Sequence, residues 1–231
     1  EIYTLSLHDA LPIFLFCRIK TFPYLCGILC KLKILLICIM SSHVNLLQTI
    51  LESSRTVFTV QSLMMMSGCD DSARLTKSLH YYAKKGSIRN PRRGIYTKPK
   101  YDVQEMACSL FRPSYISLEY VLQRAGVVFQ WDSNITCVSY LSRTTEVGDN
   151  VFQYRKISPA LWIGMEGIEC QDNVAIATAE RAFLDMVYIS AGNCHFDNLH
   201  LLSAKRIGKL LPLYRSQTLS TRVAALLNTK L

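Results

Sequence analysis

Acidic side chains are the first place to look for catalytic chemistry in this chain. Glu119, Glu180 and Asp185 are the best acidic candidates, but they are scattered and not paired at the spacing that acid–base catalysis uses. The sequence also contains no GxxxxGK[ST], HExxH or GxSxG motif. We therefore expect no enzyme and no catalytic residue. The alternative that stays open is a nuclease or nucleotide-modifying enzyme that uses Glu119 or Asp185.

Cysteine and histidine side chains are the possible metal ligands. Cys170, Cys194, His195 and His200 come nearest to a set, but their spacing matches no common zinc pattern. The chain has nine cysteines, an odd number, with no CxxC pair, which favours free thiols in a reducing cytoplasm. We expect no metal, no cofactor and a cytoplasmic protein.

Basic side chains indicate a different chemistry, the binding of a polyanion. The chain of 231 residues carries a net charge of +9, of which +7 falls in residues 40–101, while residues 102–231 are neutral. Contacts between Lys or Arg and phosphates release counterions, so such a concentration of charge is typical of nucleic-acid binding. Four side chains at i, i+3, i+4 and i+7 would project together from one helix: Arg74, Lys77, Ser78 and Tyr81.

Three helices are predicted to carry this basic face. Apolar spacing predicts the first over His43 to Ser53, with Ser41 or Ser42 as its cap. Thr59 is the expected cap of the second, which ends at Gly68. Asp70-Asp71 would cap the third, over Ser72 to Lys85. Two helices, a tight turn and a basic second helix indicate a helix-turn-helix.

A β-hairpin is predicted to follow the third helix. Ser87-Ile88-Arg89 and Ile95-Tyr96-Thr97 are β-prone runs on either side of an Asn/Pro/Gly turn, and Pro91 favours an exposed edge. We interpret residues 40–100 as a winged helix-turn-helix domain. A winged helix that binds protein instead of DNA stays open. The backbone-contacting residues would be Lys84, Lys85, Arg89, Arg92 and Arg93.

The rest of the chain has a mixed pattern. Helices are predicted over Val103 to Phe111, Ser114 to Arg124 and Thr178 to Ser190, and strands over three runs. Those runs are Gly126 to Trp131, Ile135 to Leu141 and Val151 to Ile157. We expect an α+β protein with a mixed α/β domain over residues 101–190 and a helical tail over residues 191–231.

The N-terminal segment has a different origin in our interpretation. The opening Glu1-Ile-Tyr-Thr-Leu-Ser-Leu-His-Asp-Ala-Leu-Pro-Ile13 resembles a translated sequencing adapter. Residues 1–39 contain no uninterrupted apolar run long enough for a membrane-spanning helix. We expect these residues to form no domain, the gene product to begin at Met40, and no membrane association.

Four segments, in order, resemble the AbiEi family of antitoxins from type IV toxin–antitoxin systems. They are Lys84-Lys85-Gly86-Ser87-Ile88 with Arg93-Gly94-Ile95-Tyr96, Arg112-Pro113-Ser114-Tyr115-Ile116-Ser117-Leu118-Glu119, Phe152-Gln153-Tyr154-Arg155-Lys156-Ile157, and Ile176-Ala177-Thr178-Ala179-Glu180-Arg181-Ala182-Phe183-Leu184-Asp185. The chain departs from the family at Ala179, where Pro is common, and at Arg181, where Lys is common.

The resemblance implies an abortive-infection antitoxin with two activities. A winged helix would bind double-stranded promoter DNA and repress the antitoxin's own operon, with self-association on DNA. A second domain would counteract an AbiEii-like nucleotidyltransferase toxin. The motif residues that it implies for this domain are Ser114, Tyr115, Ser117, Glu119, Tyr154, Arg155, Thr178, Glu180, Arg181 and Asp185.

Overall fold

A computed structural model describes residues 46–130, 132–159, 161, 165–191 and 194–227. Within these, residues 47–231 belong to one compact unit. The predictions for residues 1–39, and the predicted cap of the first helix, lie outside the described residues. The described chain contains eight α-helices and two sheets, which confirms the predicted α+β class.

The first part of the described chain contains three helices and a three-stranded sheet. Its elements are α1 (Leu46–Glu52), β1 (Val57–Thr59), α2 (Val60–Ser67), α3 (Ser72–Lys84), β2 (Arg89–Arg92) and β3 (Ile95–Thr97). The sheet order is β1-β3-β2, with both pairs antiparallel. The predicted hairpin is therefore present, but its first strand is Arg89–Arg92 and not Ser87–Arg89. Pro91, predicted in the turn, lies within this edge strand, the position in a sheet that tolerates proline.

Local capping explains where the helices of this part begin and end. Thr59 and Ser62 form a capping box, with Ser62 N donating to Thr59 Oγ1 at 3.1 Å. Gly68 ends α2 in the left-handed conformation, at φ 62°. The Asp71 carboxylate accepts from the amides of Ala73 and Arg74 at 2.9 and 3.0 Å, which begins α3. These three predicted boundaries are confirmed.

The second part of the chain builds a six-stranded mixed sheet covered by helices. Its elements are α4 (Val103–Leu110), β4 (Ser114–Ile116), α5 (Glu119–Arg124), β5 (Ile135–Ser139), β6 (Arg143–Val147), β7 (Asn150–Lys156), β8 (Ile168–Gln171), β9 (Val174–Ala177), α6 (Ala179–Ile189), α7 (Ala204–Leu210) and α8 (Gln217–Leu227). The strand order is β6-β7-β5-β4-β9-β8. The pairs β4–β9 and β5–β7 are parallel, and the others are antiparallel.

Two predicted elements of this part are wrong. The helix predicted over Ser114 to Arg124 is strand β4 followed by the shorter helix α5, because Tyr115 and Ile116 are buried between β5 and β9. The strand predicted from Gly126 is not formed at residues 126–130. There the chain turns back on α5, with the amide of Val127 donating to Leu122 O at 2.9 Å.

The two parts of the chain share one hydrophobic core. Val57 of β1 and Ile95 of β3 belong to the same buried cluster as the large sheet and its helices. The link also has a polar component, because Glu105 of α4 is 3% exposed and accepts from Thr56 N at 2.7 Å and from Thr56 Oγ1 at 2.6 Å. The first part is therefore packed firmly against α4.

Loss of the Glu105 carboxylate should destabilise the whole chain. We expect Glu105→Ala to lower the free energy of unfolding by about 2–3 kcal/mol, because two buried bonds to a charged group are lost. Denaturant unfolding measures this. Glu146→Ala, at an exposed glutamate of β6, is the matched control, and an equal effect in both variants would contradict the role given to Glu105.

The five described cysteines are free thiols that differ in burial. Burial raises the pKa of the Cys108 and Cys137 thiols, so less of each is thiolate at pH 8 than in an ordinary cysteine. We expect iodoacetamide to modify the exposed Cys170 in the folded protein and the two buried thiols only on unfolding. Peptide mass spectrometry over time checks this, and equally fast modification of Cys137 and Cys170 would contradict it.

Candidate nucleic-acid interface

One face of α3 is basic and open to solvent. Leu75 and Leu79 are buried on the opposite face, so helical periodicity turns Arg74, Lys77 and Tyr81 outward. All three are exposed, Tyr81 to 62%. The helix begins at Asp71, which places Arg74 and Lys77 in its first two turns. In a helix-turn-helix, this N-terminal part of the second helix reaches the base edges.

The end of α3 and the hairpin add further exposed charges. Lys84, Lys85, Arg89 and Arg93 are all exposed. No salt bridge within the described residues involves them, nor Arg74 or Lys77. A surface with several cations that form no ion pair is suited to bind an anion, because phosphates would replace counterions there.

Two of the predicted interface residues are partly buried and have contacts within the chain. Ser78 is half-buried and donates its hydroxyl to Arg74 O at 3.3 Å. Arg92 is half-buried too, and its guanidinium lies over the Phe111 ring, 5.7 Å from the centroid. Arg143 of β6 lies over the same ring at 5.2 Å. Sequence reasoning missed Arg143, because β6 was not predicted and no local pattern brings residue 143 to the hairpin.

Motif residues of the second part form a buried ionic centre. Arg181 and Asp185 lie one turn apart on α6, with Arg181 Nε 3.3 Å from Asp185 Oδ1 and side chains 1% and 0% exposed. The guanidinium also donates to Glu166 O at 3.2 Å and to the Tyr115 hydroxyl at 3.3 Å. A buried charge of this kind must be paired, and both members of this pair have partners.

Three hydroxyl groups complete the shell around Asp185. Tyr214 donates to Oδ1 at 2.5 Å, while Ser117 and Tyr115 donate to Oδ2 at 2.8 and 3.0 Å. Burial raises the pKa of the Asp185 carboxyl, and the Arg181 charge and these donors oppose that shift. Burial and the Asp185 charge raise the pKa of both tyrosines, which keeps them protonated as donors.

The other motif residues of this part are mostly structural. Thr178 caps α6 by accepting from Arg181 N at 3.3 Å, and Tyr154 donates to Ala107 O at 2.6 Å. Glu180, 5% exposed, lies 3.7 Å from Arg206 of α7. Ser114 is half-buried, and its hydroxyl has no partner among the described residues. These contacts connect α6 to the sheet and to the C-terminal helices.

Glu119 and Arg155 are two motif residues that line a cavity. They form an ion pair of 2.7 Å, with side chains 20% and 36% exposed respectively. Both line a cavity of about 370 Å³, together with Gln123, Gln130, Asp132, Cys194 and His195. Through this polar cavity a partner molecule can reach the two side chains.

The geometry also bears on the enzyme and metal alternatives. Asp185 is fully buried, so a catalytic metal or a nucleic acid would not reach its carboxylate. Among the described residues, no group of three His, Cys, Asp or Glu side chains is arranged to hold a metal ion. Nor is any helix in the described ranges both long and apolar enough to cross a membrane.

Comparison with known proteins leaves the family of this chain open. No protein-family model and no curated protein sequence matches it. One solved structure that matches is the crystal structure of the RV2827C protein from Mycobacterium tuberculosis, at a TM-score of 0.47 and 12% identity. That match covers 81% of this chain and 76% of the other.

Loss of the Arg181 charge should destabilise the protein strongly. We expect Arg181→Met to cost about 3–5 kcal/mol of unfolding free energy, because Asp185 would stay buried without its counter-charge. Chemical denaturation measures this. Arg222→Met, at a half-buried arginine of α8 without an ion pair in the described chain, should change stability by less than about 0.5 kcal/mol. Similar losses in both variants would argue against the ionic centre.

Proposed function

We propose that this chain is a DNA-binding transcriptional regulator and an antitoxin of a type IV toxin–antitoxin system. It represses its own operon from the cytoplasm and counteracts a nucleotidyltransferase toxin. The observation that carries the DNA-binding half is the unpaired basic surface on α3 and the β2–β3 hairpin. The antitoxin half rests on the resemblance of the four sequence segments to AbiEi.

The order of elements supports a winged-helix interpretation of the first part. Helix, strand, helix, helix and two strands follow each other, and the hairpin of β2 and β3 is the wing. In this interpretation α3 enters the major groove, where Arg74, Lys77, Ser78 and Tyr81 approach base edges or nearby phosphates. Lys84, Lys85, Arg89, Arg92 and Arg93 hold the backbone.

The packing of the second part supports a division of roles in the antitoxin motif. The residues around Arg181 and Asp185 maintain the fold, since they are buried and hydrogen-bonded to each other. The Glu119–Arg155 pair lines an open cavity and is the part of the motif suited to contact the toxin or its substrate.

DNA binding is tested with the DNA of the chain's own promoter and an unrelated duplex. We expect the wild-type protein to bind both, with lower affinity at higher salt. Arg93→Ala should weaken binding to both duplexes alike and reduce the salt slope by about one, whereas Lys77→Ala should also reduce the preference for the promoter. Fluorescence anisotropy over a salt series measures both quantities.

The matched control is Lys205→Ala, at an exposed lysine of α7, which should bind DNA as the wild type does. Unchanged binding in both Arg93→Ala and Lys77→Ala would remove this interface from consideration. The absence of any salt-dependent affinity for either duplex would favour a winged helix that contacts protein.

The antitoxin half needs a separate experiment. A nucleotidyltransferase gene beside this one would supply the toxin, and co-expression of the two should restore the growth that the toxin alone prevents. Lys77→Ala should still restore growth while it loses repression of the operon, because the two activities use different parts of the chain. Failure of the wild-type protein to restore growth would overturn the antitoxin assignment and leave the DNA-binding assignment standing.

A further inference from the structure

The β2–β3 hairpin and the large sheet meet at one aromatic side chain. Arg92, the last residue of β2, and Arg143, the first residue of β6, both lie over the ring of Phe111, at 5.7 and 5.2 Å from its centroid. The ring itself packs edge-on against Tyr154, with centroids 4.8 Å apart. One aromatic side chain thus holds cations from both parts of the chain.

The strand register explains how Arg143 reaches this position. Arg143 pairs with Tyr154 across β6 and β7, so their side chains extend from the same face of the sheet. Lys156 lies two residues beyond Tyr154 and therefore on that face too, and it is exposed. β6 is an edge strand, which leaves Arg143 exposed beside the hairpin.

This arrangement has no internal counter-charge. Neither Arg92 nor Arg143 forms a salt bridge with any described residue. Contact of a guanidinium group with an aromatic ring does not neutralise its charge, so both arginines keep a charge with which to bind an anion. Guanidinium groups in particular match the oxygens of a phosphate with paired hydrogen bonds.

We propose that Arg143 contacts a DNA phosphate and extends the interface of the winged helix onto the second part of the chain. The proposal rests on the DNA-binding function proposed above. It adds a contact that is contributed by the large sheet, outside the winged helix. Arg143 shares the Phe111 ring with Arg92, which directly precedes Arg93, so it would add a phosphate contact next to the turn of the hairpin.

The test compares Arg143→Gln with the wild type on the promoter duplex and on an unrelated duplex of equal length. We expect Arg143→Gln to bind both more weakly and by a similar factor. Its slope of log affinity against log salt should fall by about one. The ratio of its Kd values at 200 and 50 mM salt should therefore be about fourfold smaller than that of the wild type.

Two further variants make the result specific. Arg143→Lys keeps the charge and should retain the wild-type slope. Arg124 of α5 also lies over an aromatic ring, that of Tyr120, 4.1 Å from its centroid. It is not part of the contact with the hairpin, so Arg124→Gln is the matched control. It should bind DNA as the wild type does. Thermal melting checks that each variant is folded, which we expect because Arg143 is exposed.

The possible failures are distinguishable. If Arg143→Gln keeps the wild-type slope while Arg93→Ala reduces it, the Arg143 contact is overturned and the DNA-binding function stands. Weaker binding by Arg143→Gln with an unchanged slope also overturns it, because Arg143 would then position the wing without touching a phosphate. If the wild-type protein shows no salt-dependent binding, the DNA-binding function itself fails.

Discussion

The buried charge of Arg181 is the constraint on which the second part of the fold depends. A guanidinium with 1% of its side chain exposed is stable only where several acceptors converge on it. Here Asp185 comes from the same helix, Tyr115 from β4 and the carbonyl of Glu166 from the loop before β8. Tyr214, near the C-terminal end, reaches the same carboxylate. The sheet, α6 and the C-terminal segment are therefore assembled around one ion pair.

Local chemistry made the first part of the chain predictable. Thr59, Gly68 and Asp71 determine their helix ends through bonds within a few residues of sequence, so their types alone indicate the boundaries. The predictions failed where long-range pairing decides the structure. Tyr115 and Ile116 follow a pattern that fits a helix, but their partners β5 and β9 lie far along the chain. Strands β6 and β8 were missed because they are short, polar edge strands.

The candidate sites show the same distinction between local patterns and contacts that form only on folding. The exposed face of α3 follows from helical spacing, and its side chains lie where that spacing places them. The ionic centre could not be derived in this way, because Tyr115, Arg181 and Tyr214 meet only in the folded chain. The resemblance to AbiEi selected Tyr115, Arg181 and Asp185 but did not include Tyr214. The contact of Arg92 and Arg143 with Phe111 likewise depends on the register of β6 against β7.

Pro91 on the outer strand of the hairpin has a consequence for solubility. An open strand edge offers unpaired amides and carbonyls to any other extended chain, and so promotes intermolecular sheet growth. The edge strand β2 contains a residue that has no amide hydrogen, together with the charges of Arg89 and Arg92. A second copy of the hairpin would meet both a missing donor and charges of its own sign. The outer edge of the hairpin is therefore a poor template for aggregation.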